Sequence, residues 1–195
     1  MKQHLYSLGK QTLVYGISAA ALQVVGVITL PIFARTFSPG EYGALEIVTV
    51  GVSAMLMFAD IGMSSASQRS YFDYAEGDER RRTVLATAIA AALTTATALA
   101  VALILFHRPL SDWLFHGKPY GELVVLGALT LPVTVLATLL REVMRLRFMA
   151  WSYTISAIAG AVIAAGLSIW LVLGTNAGMD GVLIGALAGN AVAVL

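Results

Sequence analysis

Six long, almost uncharged apolar stretches constrain this chain more than any other feature of its sequence. A helix needs about 20 residues to cross the hydrocarbon core of a bilayer, and backbone amides inside lipid must be hydrogen-bonded within their own segment. The apolar runs show no period of two, which excludes the strands of a membrane barrel. We therefore predict an all-α, polytopic membrane helix bundle with transmembrane helices at about 13–34, 42–64, 83–106, 121–140, 151–173 and 178–195.

The scarcity of charge excludes a water-soluble globule. Charged residues make up 12% of the chain and hydrophobic residues 58%, whereas soluble domains carry about 25% charged residues. The chain has no cysteine, its three histidines lack metal-ligand spacing, and it contains neither a phosphate-binding loop nor a hydrolase motif. We expect no enzymatic activity and no cofactor, metal or nucleic-acid partner.

Lysines and arginines are distributed unequally between the two ends of the predicted helices. Short loops rich in these residues stay in the cytoplasm, and nine of the 12 fall on the side that carries the N-terminus. We interpret Arg80, Arg81 and Arg82 as topology and headgroup anchors rather than as a ligand site. The distribution predicts a cytoplasmic N-terminus, with Lys2, Lys10, Arg69, Arg80, Arg81, Arg82, Arg141, Arg145 and Arg147 inside and Arg35, Arg108 and Lys118 outside.

Polar side chains follow one face of the second predicted helix. Glu46 and Asp60 are about 21 Å apart along the helix axis and differ by only about 40° around it. Ser53 and Ser64 fall on the same line. Ionisable groups at membrane depth usually face a wet interior, although both carboxylates are also close enough to the interfaces to reach water. Gln23 adds an amide to the middle of the first helix.

A second polar stripe lies on the fourth predicted helix, within about 80° of azimuth. Threonine hydroxyls also bond to their own helix backbone, and arginines at helix ends also anchor lipid headgroups, so each residue alone has a structural explanation. Two stripes on different helices together favour a shared hydrophilic cavity. The members of this second stripe are Thr130, Thr134, Thr138, Arg141 and Arg145.

Small residues on the last two predicted helices indicate close packing rather than chemistry. Three glycines repeat every four residues on the sixth helix, and small residues on the fifth helix have a similar spacing. Such a face lets two helix backbones approach closely. The residues are Gly181, Gly185 and Gly189 on the sixth helix and Ser156, Gly160 and Ala164 on the fifth.

Three local patterns resemble a known transporter family. Residues 30–43 read Leu-Pro-Ile-Phe-Ala-Arg-Thr-Phe-Ser-Pro-Gly-Glu-Tyr-Gly, the second helix ends in Asp-Ile-Gly-Met at 60–63, and the next loop carries Arg-Ser-Tyr-Phe-Asp at 69–73 and Glu-Arg-Arg-Arg at 79–82. In this order, on this spacing of helices, they resemble the oligosaccharide flippases (Wzx-type) of the multidrug/oligosaccharidyl-lipid/polysaccharide exporter superfamily. The patterns cover about positions 30–82, and the rest of the likeness is in helix spacing.

The resemblance implies one lobe of a transporter with 12 or 14 helices in two lobes, which rock around a central cavity. We expect this chain to be the N-terminal lobe, truncated in its sixth helix, with a C-terminal lobe as its missing partner. The implied substrate is a polyprenyl-diphosphate-linked oligosaccharide, such as an O-antigen unit of lipopolysaccharide, crossing the bacterial cytoplasmic (inner) membrane. Membrane lipids are further expected partners, and contacts with a polysaccharide polymerase or glycosyltransferases are left open.

Such a substrate needs cations for its diphosphate and hydroxyl or amide partners for its sugars. Groups that titrate or carry charge inside the spans are candidates for gating or ion coupling. We predict Gln23, Arg35, Arg69, Thr134, Arg141 and Arg145 as diphosphate or sugar contacts, with Glu46 and Asp60 as gating or ion-coupling residues.

Other functions remain open at this point. A cation-coupled exporter of drugs or other small molecules belongs to the same superfamily, and it would favour acidic rather than arginine-lined lobes. A non-transporting membrane scaffold subunit would need only the packing faces. A membrane-embedded polymerase or glycosyltransferase is disfavoured, because the outer loop 107–122 contains no recognisable donor site.

Overall fold

The computed structural model describes residues 2–60, 62–75, 78–118, 120–192 and 194. Throughout this part of the chain the secondary structure is helical, without strands, so the all-α prediction is confirmed. Among the described residues, five helices are long and apolar enough to cross a membrane, and the last apolar helix is shorter, with 15 residues. The helices are α1 (Lys2–Thr36), α2 (Pro39–Asp60), α3 (Met63–Phe72), α4 (Glu79–Leu105), α5 (His107–Phe115), α6 (Gly121–Leu146), α7 (Ala150–Gly174) and α8 (Gly178–Val192).

The end of α2 differs from the predicted span at 42–64. The helix ends at Asp60, because Gly62 has a φ of 73° and takes the left-handed conformation that glycine adopts most readily. Ser64 therefore belongs to α3, where its backbone N–H donates to Asp60 Oδ1 at 3.1 Å. Glu46 and Ser64 do not lie on one continuous helix.

Two short helices, α3 and α5, occupy segments that the sequence predicts as loops. Each has one buried face: Ser67 and Tyr71 are buried on α3, and Ser111 and Phe115 are buried on α5. Trp113 on the opposite face of α5 is 76% exposed. Both helices are amphipathic and cover ends of the bundle, so they lack the uniform apolarity that marks a span.

The central helix of the bundle is α6. It packs against α2, α4, α5, α7 and α8, and Ala128, Leu131 and Ala137 on it are fully buried. Half of its apolar window is buried, compared with about a quarter or less for the other candidate spans. Polar groups on α6 are therefore surrounded by protein more than those on any other described span.

The helices alternate in direction, so their connections fall into two sets. At one end, called the outer end, Phe37, Phe115, Leu123 and Leu183 form a hydrophobic cluster. At the other, called the inner end, Tyr71, Leu85 and Leu146 pack together. The described arginines divide between these ends as predicted, while the assignment of the inner end to the cytoplasm stays a prediction.

The contact between α7 and α8 is made by backbone against backbone. A Cβ atom added at Gly160 would lie 2.8 Å from the carbonyl oxygen of Gly189, and one added at Gly181 would lie 2.9 Å from the Cβ of Leu171. Cβ atoms are not tolerated at such distances without a shift of the helices. The prediction that small residues allow close packing of these two helices is confirmed.

A two-residue turn joins α1 to α2. The carboxylate of Glu41 accepts hydrogen bonds from the backbone N–H of Ser38 at 2.8 Å and from its hydroxyl at 2.7 Å, and the Ser38 hydroxyl in turn accepts from the Glu41 backbone N–H at 3.4 Å. Pro39, in the first helical position, needs no hydrogen-bond acceptor. This reciprocal pair is a capping box, which fixes where α2 begins.

Candidate functional site

The polar stripe of α6 runs through the most enclosed helix of the bundle. Thr130, at its buried end, donates its hydroxyl to the carbonyl oxygen of Gly127 at 2.6 Å, so it bonds only within its own helix. Thr134 and Arg141 are half-buried, and Thr138 is exposed between them. The stripe thus begins with a buried, internally bonded hydroxyl and continues with side chains that are half-buried or exposed.

An asparagine on α8 joins two members of this stripe. Asn190 Nδ2 donates to the Thr134 hydroxyl at 3.0 Å, and Asn190 Oδ1 accepts from Arg141 Nη2 at 3.2 Å. Arg141 Nε donates to the carbonyl oxygen of Ala137 at 3.1 Å. We call Thr134, Arg141 and Asn190 the Asn190 cluster. It fixes the guanidinium group against α6 while leaving other N–H donors of Arg141 without a partner among the described residues.

A cavity of about 320 Å³, which we call the Asp60 cavity, lies between α2, α3 and α6. Asp60 and Thr138 both line it, so polar groups from two candidate spans face one space. Asp60 Oδ1 also accepts from the Ser64 hydroxyl at 2.6 Å. The remaining lining residues are Leu56, Met57, Ser64, Val135 and Leu139.

A second group of polar contacts ties α3 to the inner end of α6. Glu142 Oε1 accepts from Arg145 Nη2 at 2.6 Å and also from Gln68 Nε2. The Arg145 side chain is 53% exposed, which lets water screen this ion pair strongly. Arg145 nevertheless has a carboxylate partner, in contrast to Arg141, whose hydrogen bonds go to neutral acceptors.

The comparison with family models decides the family. The model described as "Polysaccharide biosynthesis protein" matches residues 8–195. The chain belongs to the polysaccharide biosynthesis protein family. Members of this family are transporter-like rather than enzymes, and the resemblance drawn from the sequence motifs agrees with this membership. No curated protein and no solved structure among those compared matches the chain.

In this member of the polysaccharide biosynthesis family, four candidate residues lie away from the Asn190 cluster. Gln23 is exposed on the side of α1 that also carries Val27. Arg35, in the last turn of α1, and Glu46, near the start of α2, are exposed towards the outer end, and Arg69 is exposed on α3 at the inner end. Arg35 and Arg141 are separated by most of the length of α6, which is about 27 Å from Leu123 to Arg141. They cannot bind one diphosphate together, and their roles stay predictions.

Sequence reasoning missed three residues that the structure places at these contacts. The sequence could have identified Asn190, because it is a lone amide in an apolar helix. Polar groups in such helices usually have a partner. Gln68 and Glu142 carried a weaker signal, since both lie among other charged or polar residues near helix ends. None of the three lies on the predicted polar stripes.

Proposed function

We propose that this chain is one lobe of a transporter that moves a polyprenyl-diphosphate-linked oligosaccharide across the bacterial cytoplasmic membrane for surface polysaccharide synthesis. The observation that carries the proposal is the Asn190 cluster, which holds a half-buried arginine on α6, the helix whose Thr138 lines the Asp60 cavity. Membership of the polysaccharide biosynthesis family supports a polysaccharide-related cargo.

The chemistry of the cluster matches such a cargo. A diphosphate must not meet bare hydrocarbon, and charge-assisted hydrogen bonds from a guanidinium group replace its lost water. Arg141 is held by neutral acceptors, so its charge remains available to an anion. The hydroxyls of Thr134 and Thr138 are suited to sugar hydroxyls, while the polyprenyl chain stays in the surrounding bilayer.

Alternating access requires a second lobe, which in this proposal packs over the Asp60 cavity and completes it. In this proposal Asp60 acts in gating or ion coupling, and the hydrogen bond by which its carboxylate joins α2 to α3 at this cavity supports the role. Arg35 and Glu46, at the outer end, would meet the substrate at a later step than Arg141. Arg69 would meet it at entry from the inner end.

Complementation of a strain that lacks its lipid-linked-oligosaccharide flippase tests the proposal, using the gene that encodes this chain. Arg141→Ala removes a charge-assisted interaction of about 1.5–3 kcal/mol, so we expect surface polysaccharide to fall about tenfold or more. Arg141→Lys keeps the charge and should retain part of the activity. Arg108→Ala, an exposed cation at the outer end, is the matched control.

The proposal fails if the unmodified gene does not restore surface polysaccharide while its product is present in the membrane. It also fails in its assignment of Arg141 if Arg141→Ala restores polysaccharide as fully as the Arg108→Ala control. Immunoblots of membrane fractions separate loss of transport from loss of protein.

A further inference from the structure

A second cavity, of about 660 Å³, lies at the inner end of the bundle and shares no residue with the Asp60 cavity. It forms where the end of α3, the start of α4 and the end of α6 meet, which is the boundary between the apolar spans and the polar connections. Its lining combines three arginines, two carboxylates, three aromatic rings and two leucines. The residues are Tyr71, Phe72, Asp78, Glu79, Arg81, Arg82, Leu85, Leu146, Arg147 and Phe148.

The three arginines come from two separate parts of the chain and are available to an anion. Arg81 is held in place, with its guanidinium carbon 4.6 Å from the centre of the Tyr71 ring and its Nε donating to the carbonyl oxygen of Tyr74 at 2.9 Å. Arg82 and Arg147 are exposed. In the part of the chain that the structure describes, the one ion pair joins Arg145 to Glu142, so no carboxylate neutralises the cavity arginines directly.

The two carboxylates leave the cavity positive. Asp78 caps α4, where its Oδ1 accepts from the backbone N–H of Arg80 at 2.9 Å, so part of its hydrogen-bonding capacity is used within the helix start. Glu79 is exposed in the first turn of the same helix. With three arginines against two carboxylates, the lining keeps a net positive charge that suits a phosphate group.

An unusual backbone conformation places an aromatic ring at this cavity. Phe148 has a φ of 56° immediately after α6, and its N–H donates to the carbonyl oxygen of Arg145 at 3.1 Å while that of Met149 donates to Met144 at 2.9 Å. These two hydrogen bonds form a Schellman motif, in which glycine is the usual residue at the left-handed position. Phenylalanine is strained there, and strain of this kind often accompanies function. The Phe148 ring is 64% exposed.

We infer that the inner-end cavity binds the phosphate headgroup of a membrane lipid. Arg82 and Arg147 contact the phosphate, and Arg81 adds its charge from a fixed position. The exposed rings of Phe72 and Phe148 cover the first apolar groups of the lipid. Basic pockets between helix ends at the cytoplasmic surface are a recurrent form of headgroup site. Two lipids carry this chemistry in a bacterial membrane, an anionic phospholipid and a polyprenyl phosphate.

Native mass spectrometry of the purified protein in detergent tests this inference, with phosphatidylglycerol and undecaprenyl phosphate added in separate titrations. An arginine at a membrane surface contributes about 1 kcal/mol to anionic lipid binding, so Arg82→Gln and Arg147→Gln should each weaken retention about fivefold. Arg80→Gln is the matched control. It removes the same charge from the neighbouring position on α4, but Arg80 is exposed and does not line the cavity.

The inference is supported if either lipid is retained and the cavity variants weaken its retention more than Arg80→Gln does. The lipid that behaves in this way is the source of the phosphate. The inference is overturned if neither lipid is retained, or if Arg80→Gln weakens retention as much as the cavity variants. The latter result would mean that diffuse surface charge is sufficient. Because the readout is lipid binding and not translocation, failure here leaves the proposed transport function untouched.

A second variant separates binding from folding. Phe148→Gly relieves the left-handed strain and should raise the melting temperature without added lipid, yet it removes an apolar contact and should weaken lipid retention severalfold. A ring that serves only the fold would give a lower melting temperature and unchanged retention. That outcome would remove Phe148 from the site.

Discussion

The two sides of α8 illustrate two different uses of a membrane helix. Towards α7 the helix presents glycines, and the contact depends on the absence of side chains. Towards α6 it presents Asn190, and the contact depends on two directional hydrogen bonds. The first contact leaves no room for an added Cβ atom, whereas the second depends on the hydrogen-bonding groups of one side chain. Packing and polar recognition are thus separated on one short helix.

The largest effect is expected on the glycine side. Gly160→Ala puts a Cβ atom 2.8 Å from the Gly189 carbonyl oxygen, and overpacking of this kind costs about 1–3 kcal/mol. Gly166→Ala on the same helix is the control, because no atom lies within 4 Å of the added Cβ. Unfolding in a graded series of denaturing detergent measures both. Equal free energies of unfolding for the two variants would contradict the close contact between α7 and α8.

A smaller effect is expected on the polar side. Asn190→Ala removes hydrogen bonds to Thr134 and Arg141, and interhelical hydrogen bonds in membranes average about 0.6 kcal/mol each, so we expect a loss of about 1 kcal/mol. Surface polysaccharide in the complementation assay should also fall, because Arg141 loses the group that positions its guanidinium. This loss should be larger than the small change in the free energy of unfolding would cause. If the variant keeps full complementation, Asn190 is only a packing residue.

The interaction within the cluster can be isolated by a double-mutant cycle. Thr134→Val alone should cost about 0.6 kcal/mol, and it should cost almost nothing in the Asn190→Ala background, because its partner is already absent. The cycle is measured with the same detergent unfolding series. Additive losses would show that the Thr134 hydroxyl does not bond to Asn190.

The smallest effect is expected at Thr130, four residues before Thr134 on the same stripe. Its hydroxyl donates to Gly127 O in its own helix, and removal of such a bond leaves the carbonyl oxygen with its backbone partner. Thr130→Val should therefore change the free energy of unfolding by less than about 0.5 kcal/mol. A cost as large as that of Thr134→Val would mean that the whole stripe, and not only the Asn190 cluster, bonds across helices.

Helical periodicity was enough to predict both faces of the contact between α7 and α8 and one face of the contact between α6 and α8. The spacing of Gly181, Gly185 and Gly189 predicts a smooth face, and the spacing of Thr134 and Arg141 places both on one side of α6. These predictions need only the geometry of a single regular helix. Hydropathy likewise identified the long apolar spans, because burial in lipid imposes a minimum length.

The pairing of Asn190 with Thr134 and Arg141 could not be predicted from periodicity, because it depends on how the helices cross. Asn190 reaches Thr134 and Arg141 only because the glycine contact holds α8 in its position beside α6 and α7. The break at Gly62 is equally invisible to hydropathy, since its neighbours are apolar on both sides and only the backbone angle changes. Short amphipathic helices such as α3 and α5 carry too little apolar length to be recognised.

The capping box at the start of α2 has a consequence for movement. With Ser38 and Glu41 bonded to each other and only two residues in the turn, the connection between α1 and α2 is fixed at the outer end, while α1 itself packs mainly against α7. The inner end of α2, by contrast, is followed by Gly62 in the left-handed conformation. A tilt of α2 would therefore be limited at its outer end by the fixed turn, and the backbone would bend near Gly62, close to the Asp60 carboxylate.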